Sequence, residues 1–197
     1  MGKTLLHLKI LRALRRAVCA AMAWAFLAPA TPAQCQDNGL TEYHVKALFL
    51  FNFAKYVQWP DQAFPDTNAP ITIGIVGEDN FGEDLSHAIA GKTVNGRTVV
   101  IRHLSAGDYP QSCQILFISD SESSDMKDIL RRVGTQPVLT VGEDKAFARN
   151  GGIIDFVVKD DKVRLAINLD AANKAGLKIS SKLLAVADSV TGKAARP

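Results

Sequence analysis

An alternation constrains the fold of this chain more than any other feature. Short apolar runs recur along it: "ITIGIVG" (71–77), "VVIRHL" (99–104), "CQILFIS" (113–119) and "PVLTVG" (137–142). Segments with helical spacing lie between them. "FGEDLSHAIAG" (81–91) reads as a helix. So does Ser121–Gly134, where Met126, Ile129, Leu130 and Val133 form one stripe and Gly134 is the stop. "GKTVNGRT" carries an Asn-Gly turn. "GGIIDFVV" and "KVRLAINL" read as a hairpin around Lys159-Asp160-Asp161-Lys162. Ala146–Asn150 and Asp170–Gly176 are short helical turns. Ser180–Val190 is a closing helix with Leu183, Val186, Ala187 and Val190 inward. Strands alternating with helices predict an α/β fold, a layered sandwich with a central mixed sheet flanked by helices.

A long apolar helix precedes the first strand. Thr41 is the expected N-cap and Glu42 opposes the positive helix end. Val45, Leu48, Phe49, Asn52, Phe53, Tyr56 and Val57 form one stripe, and Trp59-Pro60 ends the helix. Leu50 and Phe51 fall off that stripe, so the helix is apolar on more than one side. One side can lie on the sheet. The other needs a second layer, a dimer mate or a protein partner. Phe51 and Trp59 are the candidates for the partner-facing side. Asn52 is expected to latch the backbone of a nearby loop, because a buried amide without partners costs about 1–3 kcal/mol.

The N-terminus reads as a secretory signal. Residues 1–16 carry Lys3, Lys9, Arg12, Arg15 and Arg16 and no acid. An uncharged run to Ala33 follows, ending in "APATPAQ". Cleavage after Ala30 or Ala33 fits the small-residue rule. The expected organisation is a signal peptide over 1–33, a tail over 34–40, one α/β domain over 41–190 and a tail over 191–197. The chain has 23 basic and 20 acidic residues. Five basic and no acidic residues lie in 1–33, which leaves 18 and 20 in the exported part. No basic stripe remains to suggest nucleic acid. Cys19 falls in the leader. Cys35 and Cys113 remain, either bridged or as two free thiols.

Residues suited to chemistry are few. "VGEDNF" (76–81) echoes "VGEDKAF" (141–147), each after an apolar strand. If those strands are parallel neighbours, Glu78, Asp79, Glu143 and Asp144 share a rim that could hold a divalent cation or paired acid–base carboxylates. Shared turn chemistry is the plainer explanation. His44, His87 and His103 lack metal spacing. Ser119 and Ser121 lie outside any G-x-S-x-G pattern, and Gly74, Gly77 and Gly82 make no dinucleotide fingerprint. No catalytic residue, metal or cofactor is assigned, and the expectation is a protein that is not an enzyme.

The most specific signal lies elsewhere. "VKALFLFNFAKYVQWP", "IGIVGEDNFGEDL", "GKTVNGR", "SCQILFIS", "LTVGEDKAFARNGGIIDFV" and "VRLAINLDAANKAGLKISSKLLAVA" occur in this order. Together they resemble the pattern of the YfiR-like family of periplasmic proteins, over about Thr41 to Val190. The resemblance implies a non-enzymatic α/β domain in the periplasm. It implies a repressor that binds the periplasmic sensor part of an inner-membrane diguanylate cyclase and lowers cyclic-di-GMP, and so regulates biofilm formation. An OmpA-like outer-membrane lipoprotein would take the repressor away. Some members carry cysteine pairs inside the domain, whereas here only Cys113 lies inside it. The alternative is a periplasmic small-molecule sensor.

A second candidate surface follows from "GGII" and the C-terminal segment. Gly151 and Gly152 permit positive φ or close backbone approach. Asn168 is placed to cap the turn at Asp170, and Ser180 to cap the final helix. Arg164, Lys178 and Lys182 are candidates to meet an acidic partner.

Overall fold

A computed structural model describes residues 41–105 and 113–193. The expected signal peptide, the expected 34–40 tail with Cys35, and the last four residues lie outside the described residues. Helix α1 (Glu42–Tyr56) opens the domain, capped by the Thr41 side chain, which accepts from the His44 N–H. The extended Val57–Gln58 (β1) ends it before Pro60. The chain continues through β2 (Ile71–Val76), α2 (Asp84–Ile89), β3 (Thr93–Val94), β4 (Arg97–Leu104) and β5 (Ile115–Ile118). Then come α3 (Met126–Val133), β6 (Leu139–Gly142), β7 (Ile154–Lys159) and β8 (Lys162–Asn168). It closes with α4 (Leu169–Lys174), β9 (Lys178–Ile179), α5 (Ser181–Leu184) and β10 (Ser189–Thr191).

Eight strands form one mixed sheet in the order β10-β8-β7-β6-β5-β2-β4-β3. The inner run from β4 to β7 is parallel, and β7 and β8 pair antiparallel. Asp160 and Asp161, both at positive φ (51° and 55°), make their two-residue turn. Asn95 and Gly96 turn β3 into β4 in the same way. β1 and β9 pair separately, Val57 against Ile179.

Alternate residues of the strands feed two cores, as a period of two requires. Ile71, Ile73, Ile75, Ile115, Phe117, Leu139, Val141, Ile154 and Phe156 pack on the face covered by α1. Val76, Leu104, Cys113, Leu116 and Ile118 pack on the face covered by α3 through Met126, Ile129 and Val133. The layered α/β architecture follows from this two-sided burial.

Two expectations are corrected. The buried side of α1 carries Lys46, Ala47, Leu50, Phe51, Phe53 and Ala54, followed by Val57. The stripe through Val45, Leu48, Phe49, Asn52 and Tyr56 is only half-buried. Spacing alone selected the wrong flank, because α1 is apolar on both and packs against α2 as well as the sheet. The closing helix is also shorter than expected. One turn, Ser181–Leu184, is followed by Ser189–Thr191 pairing parallel to β8. The "SVT" segment has the β-branched residues that favour a strand. Only Leu183 of its predicted inner side is buried, and Val186 and Val190 are exposed.

Candidate functional site

The carboxyl ends of parallel strands gather loops, and in sheets of this kind they also gather sites. β2 is flanked by β4 on one side and β5 on the other, so the order reverses beside it. β2 and β6 are parallel but not neighbours, since β5 lies between them. The two Glu-Asp pairs therefore share a rim without forming one cluster. Each aspartate makes the same local turn: Asp79 accepts from the Phe81 N–H at 2.9 Å and Asp144 from the Ala146 N–H at 2.8 Å. That explains the sequence echo. Asp79 also pairs with His103 at 2.6 Å, and His44 pairs with Asp84 at 3.0 Å. Among the described residues no group of three or more His, Cys, Asp or Glu is placed to hold a metal ion.

Glu143 does something different from the other three. It leaves β6 buried, and its carboxylate pairs with Lys46 of α1 at 2.5 Å. Lys46 is 2% exposed and also pairs with Glu42 one turn earlier. The Tyr43 hydroxyl donates to Glu143 at 3.2 Å and accepts from Asn80 at 3.2 Å. The Asp120 N–H adds a further bond to Glu143 at 3.2 Å. The Lys46 ammonium lies 4.4 Å from the Tyr43 ring centre. Burial alone would lower the Lys46 pKa, but the bonds to Glu143 and Glu42 outweigh it and hold it above its ordinary value. Tyr43 is pushed up, first by burial and then by the Glu143 charge.

Asp155 of β7 completes the group. It is 4% exposed, and its buried Oδ1 has no hydrogen-bond partner among the described residues. Burial and the Asp144 charge push its pKa up to about 7, against the pull of Arg149. Glu42, Tyr43, Lys46, Asp120, Glu143, Lys145, Asp155 and Phe156 border a cleft of about 310 Å³ at this end of the sheet. Sequence reading passed over Lys46 and Asp155. Two signals were present: the Glu42/Lys46 spacing of four, and a single acid inside the apolar run "GGIIDFVV".

A second groove of about 580 Å³ lies between α1 and the β7–β8 hairpin, lined by Val45, Phe49, Val158, Val163, Lys162 and Arg164. Val158 is 51% exposed there.

The sequence-selected residues separate on these surfaces. Phe51 is not partner-facing: it is 4% exposed. The Lys55 and Lys92 ammonium groups lie 4.4 and 4.9 Å from its ring centre. Trp59 is half-buried and its indole N–H donates to the Gln114 carbonyl at 3.1 Å. Asn52 is half-buried, and among the described residues its side chain makes no hydrogen bond, so no latch forms there. Arg164, Lys178 and Lys182 are exposed. Arg164 borders the apolar groove, whereas Lys178 pairs with Gln58 in the small sheet. Gly151 has φ of +97°, and a Cβ on Gly152 would lie 2.1 Å from Phe147. Asn168 caps α4, accepting from the Ala171 N–H at 3.0 Å. Ser180 holds the N-cap position of α5, but its Oγ is buried without a partner. Cys113 is buried against Gly74. Cys35, expected either to bridge it or to stay a free thiol, lies outside the described residues.

The family profile described as YfiR/HmsC-like matches residues 43–188. The chain belongs to the YfiR/HmsC-like family. The YfiR-like family is one of periplasmic regulators. No helix among the described residues is long and apolar enough to cross a membrane. No curated protein matches the chain. Two solved structures are similar in part. One is a conserved domain protein from Vibrio cholerae O1 biovar El Tor, with TM-score 0.45 and 16% identity over 61% of this chain and 54% of that one. The other is an ABC domain in complex with L-Trp from Streptococcus pneumoniae, with TM-score 0.47 and 14% identity over 61% of this chain and 55% of that one. The YfiR/HmsC-like chain thus spans about half the length of each.

Proposed function

We propose that this protein is a periplasmic repressor. It binds the periplasmic sensor part of an inner-membrane diguanylate cyclase, holds it inactive and lowers cyclic-di-GMP. An OmpA-like outer-membrane lipoprotein is the proposed competitor that removes it. Membership of the YfiR/HmsC-like family over residues 43–188 supports the reading. The observation that carries it to a surface is the apolar strip of half-buried Val45, Phe49 and Val163 beside exposed Val158, edged by Arg164. A partly exposed apolar strip with a charged rim suits reversible contact with another polypeptide. Repression is then a population shift, and each tenfold preference for the inactive cyclase corresponds to about 1.4 kcal/mol.

The test is co-purification with the periplasmic part of a cyclase encoded in the same genome, with cyclic-di-GMP measured in a deletion strain. The expected result is a complex that Val158→Glu disrupts, and a rise in cyclic-di-GMP on deletion. No complex with any such cyclase, together with unchanged cyclic-di-GMP, would overturn the reading.

A further inference from the structure

We propose that the cleft bordered by Tyr43, Asp120, Glu143, Lys145 and Asp155 binds a small aliphatic amine, whose ammonium group pairs with the Asp155 carboxylate. Three observations lead there. First, Asp155 borders the cleft and is 4% exposed, and its buried Oδ1 has no hydrogen-bond donor among the described residues. A buried carboxylate short of donors is costly, and a ligand that brings one to the carboxylate offsets part of that cost.

Second, the charge balance selects the sign of the ligand. Glu42, Asp120, Glu143 and Asp155 face two cations, Lys46 and Lys145. Lys46 is already shared by Glu42 and Glu143, so it is not free for a new anion. An anionic ligand would set its charge beside Asp155 and Asp120 with only Lys145 in support. A cation meets uncompensated acid instead.

Third, the size and the wall fit. A cavity of about 310 Å³ admits a short aliphatic chain, and Phe156, Val157 and Val158 give it an apolar side. Burial pushes the Asp155 pKa up to about 7. An ammonium beside it would favour the charged form, so amine binding and loss of the Asp155 proton reinforce each other. The rim residues of α1, of the loops after β5 and β6, and of β7 thereby act as one receptor for positive charge. The Asp155 proposal goes beyond the repressor reading and needs only the domain itself, so either can fail alone.

Putrescine is the probe. Calorimetric titration of the protein at pH 8 should show saturable binding. Size-matched 1,4-butanediol and succinate should show none. Asp155→Asn, with its fold checked by circular dichroism, should weaken putrescine by at least about tenfold, as expected for a hydrogen bond to a charged group. Lys145→Glu, at an exposed position, should tighten it about two- to fivefold. The second variant keeps the test sound should the first fail to fold. Absence of binding, equal affinity for butanediol, calcium binding more tightly than putrescine, or affinity unmoved by both variants would overturn the proposal.

Discussion

Lys46 and Glu143 stand 97 positions apart and meet at 2.5 Å in a site where their side chains are 3% and 5% exposed. This pair ties the first helix to the carboxyl end of β6. Removing one member leaves the other charge buried. Lys46→Met should therefore destabilise the domain by about 3–5 kcal/mol. The double variant Lys46→Met/Glu143→Leu should recover much of that loss. Urea unfolding of the four proteins in the cycle checks it, and a single variant within about 0.5 kcal/mol of the parent would count against the pair's role.

Asp155 predicts an unusual pH dependence. Its ordinary value is 3.8, and in the folded chain it is pushed up to about 7. The folded state therefore holds this proton more tightly than the unfolded chain. Below about pH 4 both states are protonated and Asp155 costs nothing. As pH rises towards 7 the unfolded chain loses the proton first, and stability falls by an amount on the order of 4 kcal/mol. The charged groups facing Asp155 are Asp144, Arg149, Glu143 and Lys46. Asp155→Asn should be more stable than the parent at pH 8, with the gap closing towards pH 4. Parallel denaturation curves across that range would contradict it.

Phe51 and Val158 should respond in opposite ways to a charge. Phe51→Glu places a carboxylate in a site 4% exposed and should cost at least about 3 kcal/mol. Val158→Glu lies at a site 51% exposed and should stay within about 0.5 kcal/mol of the parent. Melting temperatures distinguish them directly. A well-folded Phe51→Glu would mean that α1 is not packed as described.

Gly152 and Gly151 separate two reasons for glycine. A Cβ at Gly152 would meet Phe147 at 2.1 Å, so Gly152→Ala should cost about 1–3 kcal/mol through overpacking. Nothing lies within 4 Å of a Cβ at Gly151, where the penalty comes from φ of +97° alone. Gly151→Ala should cost about 1–2 kcal/mol. Adding Phe147→Leu should relieve the first variant and leave the second unchanged in thermal unfolding.

Cys113 should be inert. Burial pushes its thiol up to about 12, and the thiolate is the reactive form. Native protein at pH 8 should resist iodoacetamide at Cys113 and react there once unfolded. Fast labelling of Cys113 in the native state would show that this core opens readily.

The layered fold was legible because "ITIGIVG", "CQILFIS" and "PVLTVG" are short, mostly apolar runs free of charge, which two-sided burial demands. The orientation of α1 was not. A helix with Leu50 and Phe51 on one flank and Leu48 and Phe49 on the other offers two stripes, and only tertiary packing chooses between them. The last helix failed for a related reason. "LLAVADSV" has helical spacing, but the free edge of β8 offered Val190 and Thr191 a backbone partner that the local sequence does not reveal. At the rim, Glu143 was visible among the acids. Its partner on α1 was not, because a lysine in an apolar helix ordinarily points to water.

The link between Lys46 and Glu143 also sets an order of assembly. A chain made and delivered from its N-terminus presents α1 long before the glutamate that neutralises its lysine. Until β6 arrives, the greasy leading segment has neither its counter-charge nor the sheet beneath it. The first helix of the domain to appear is thus fastened only after β6 has followed it. Any factor that shepherds nascent chains would find an apolar target in residues 42–57.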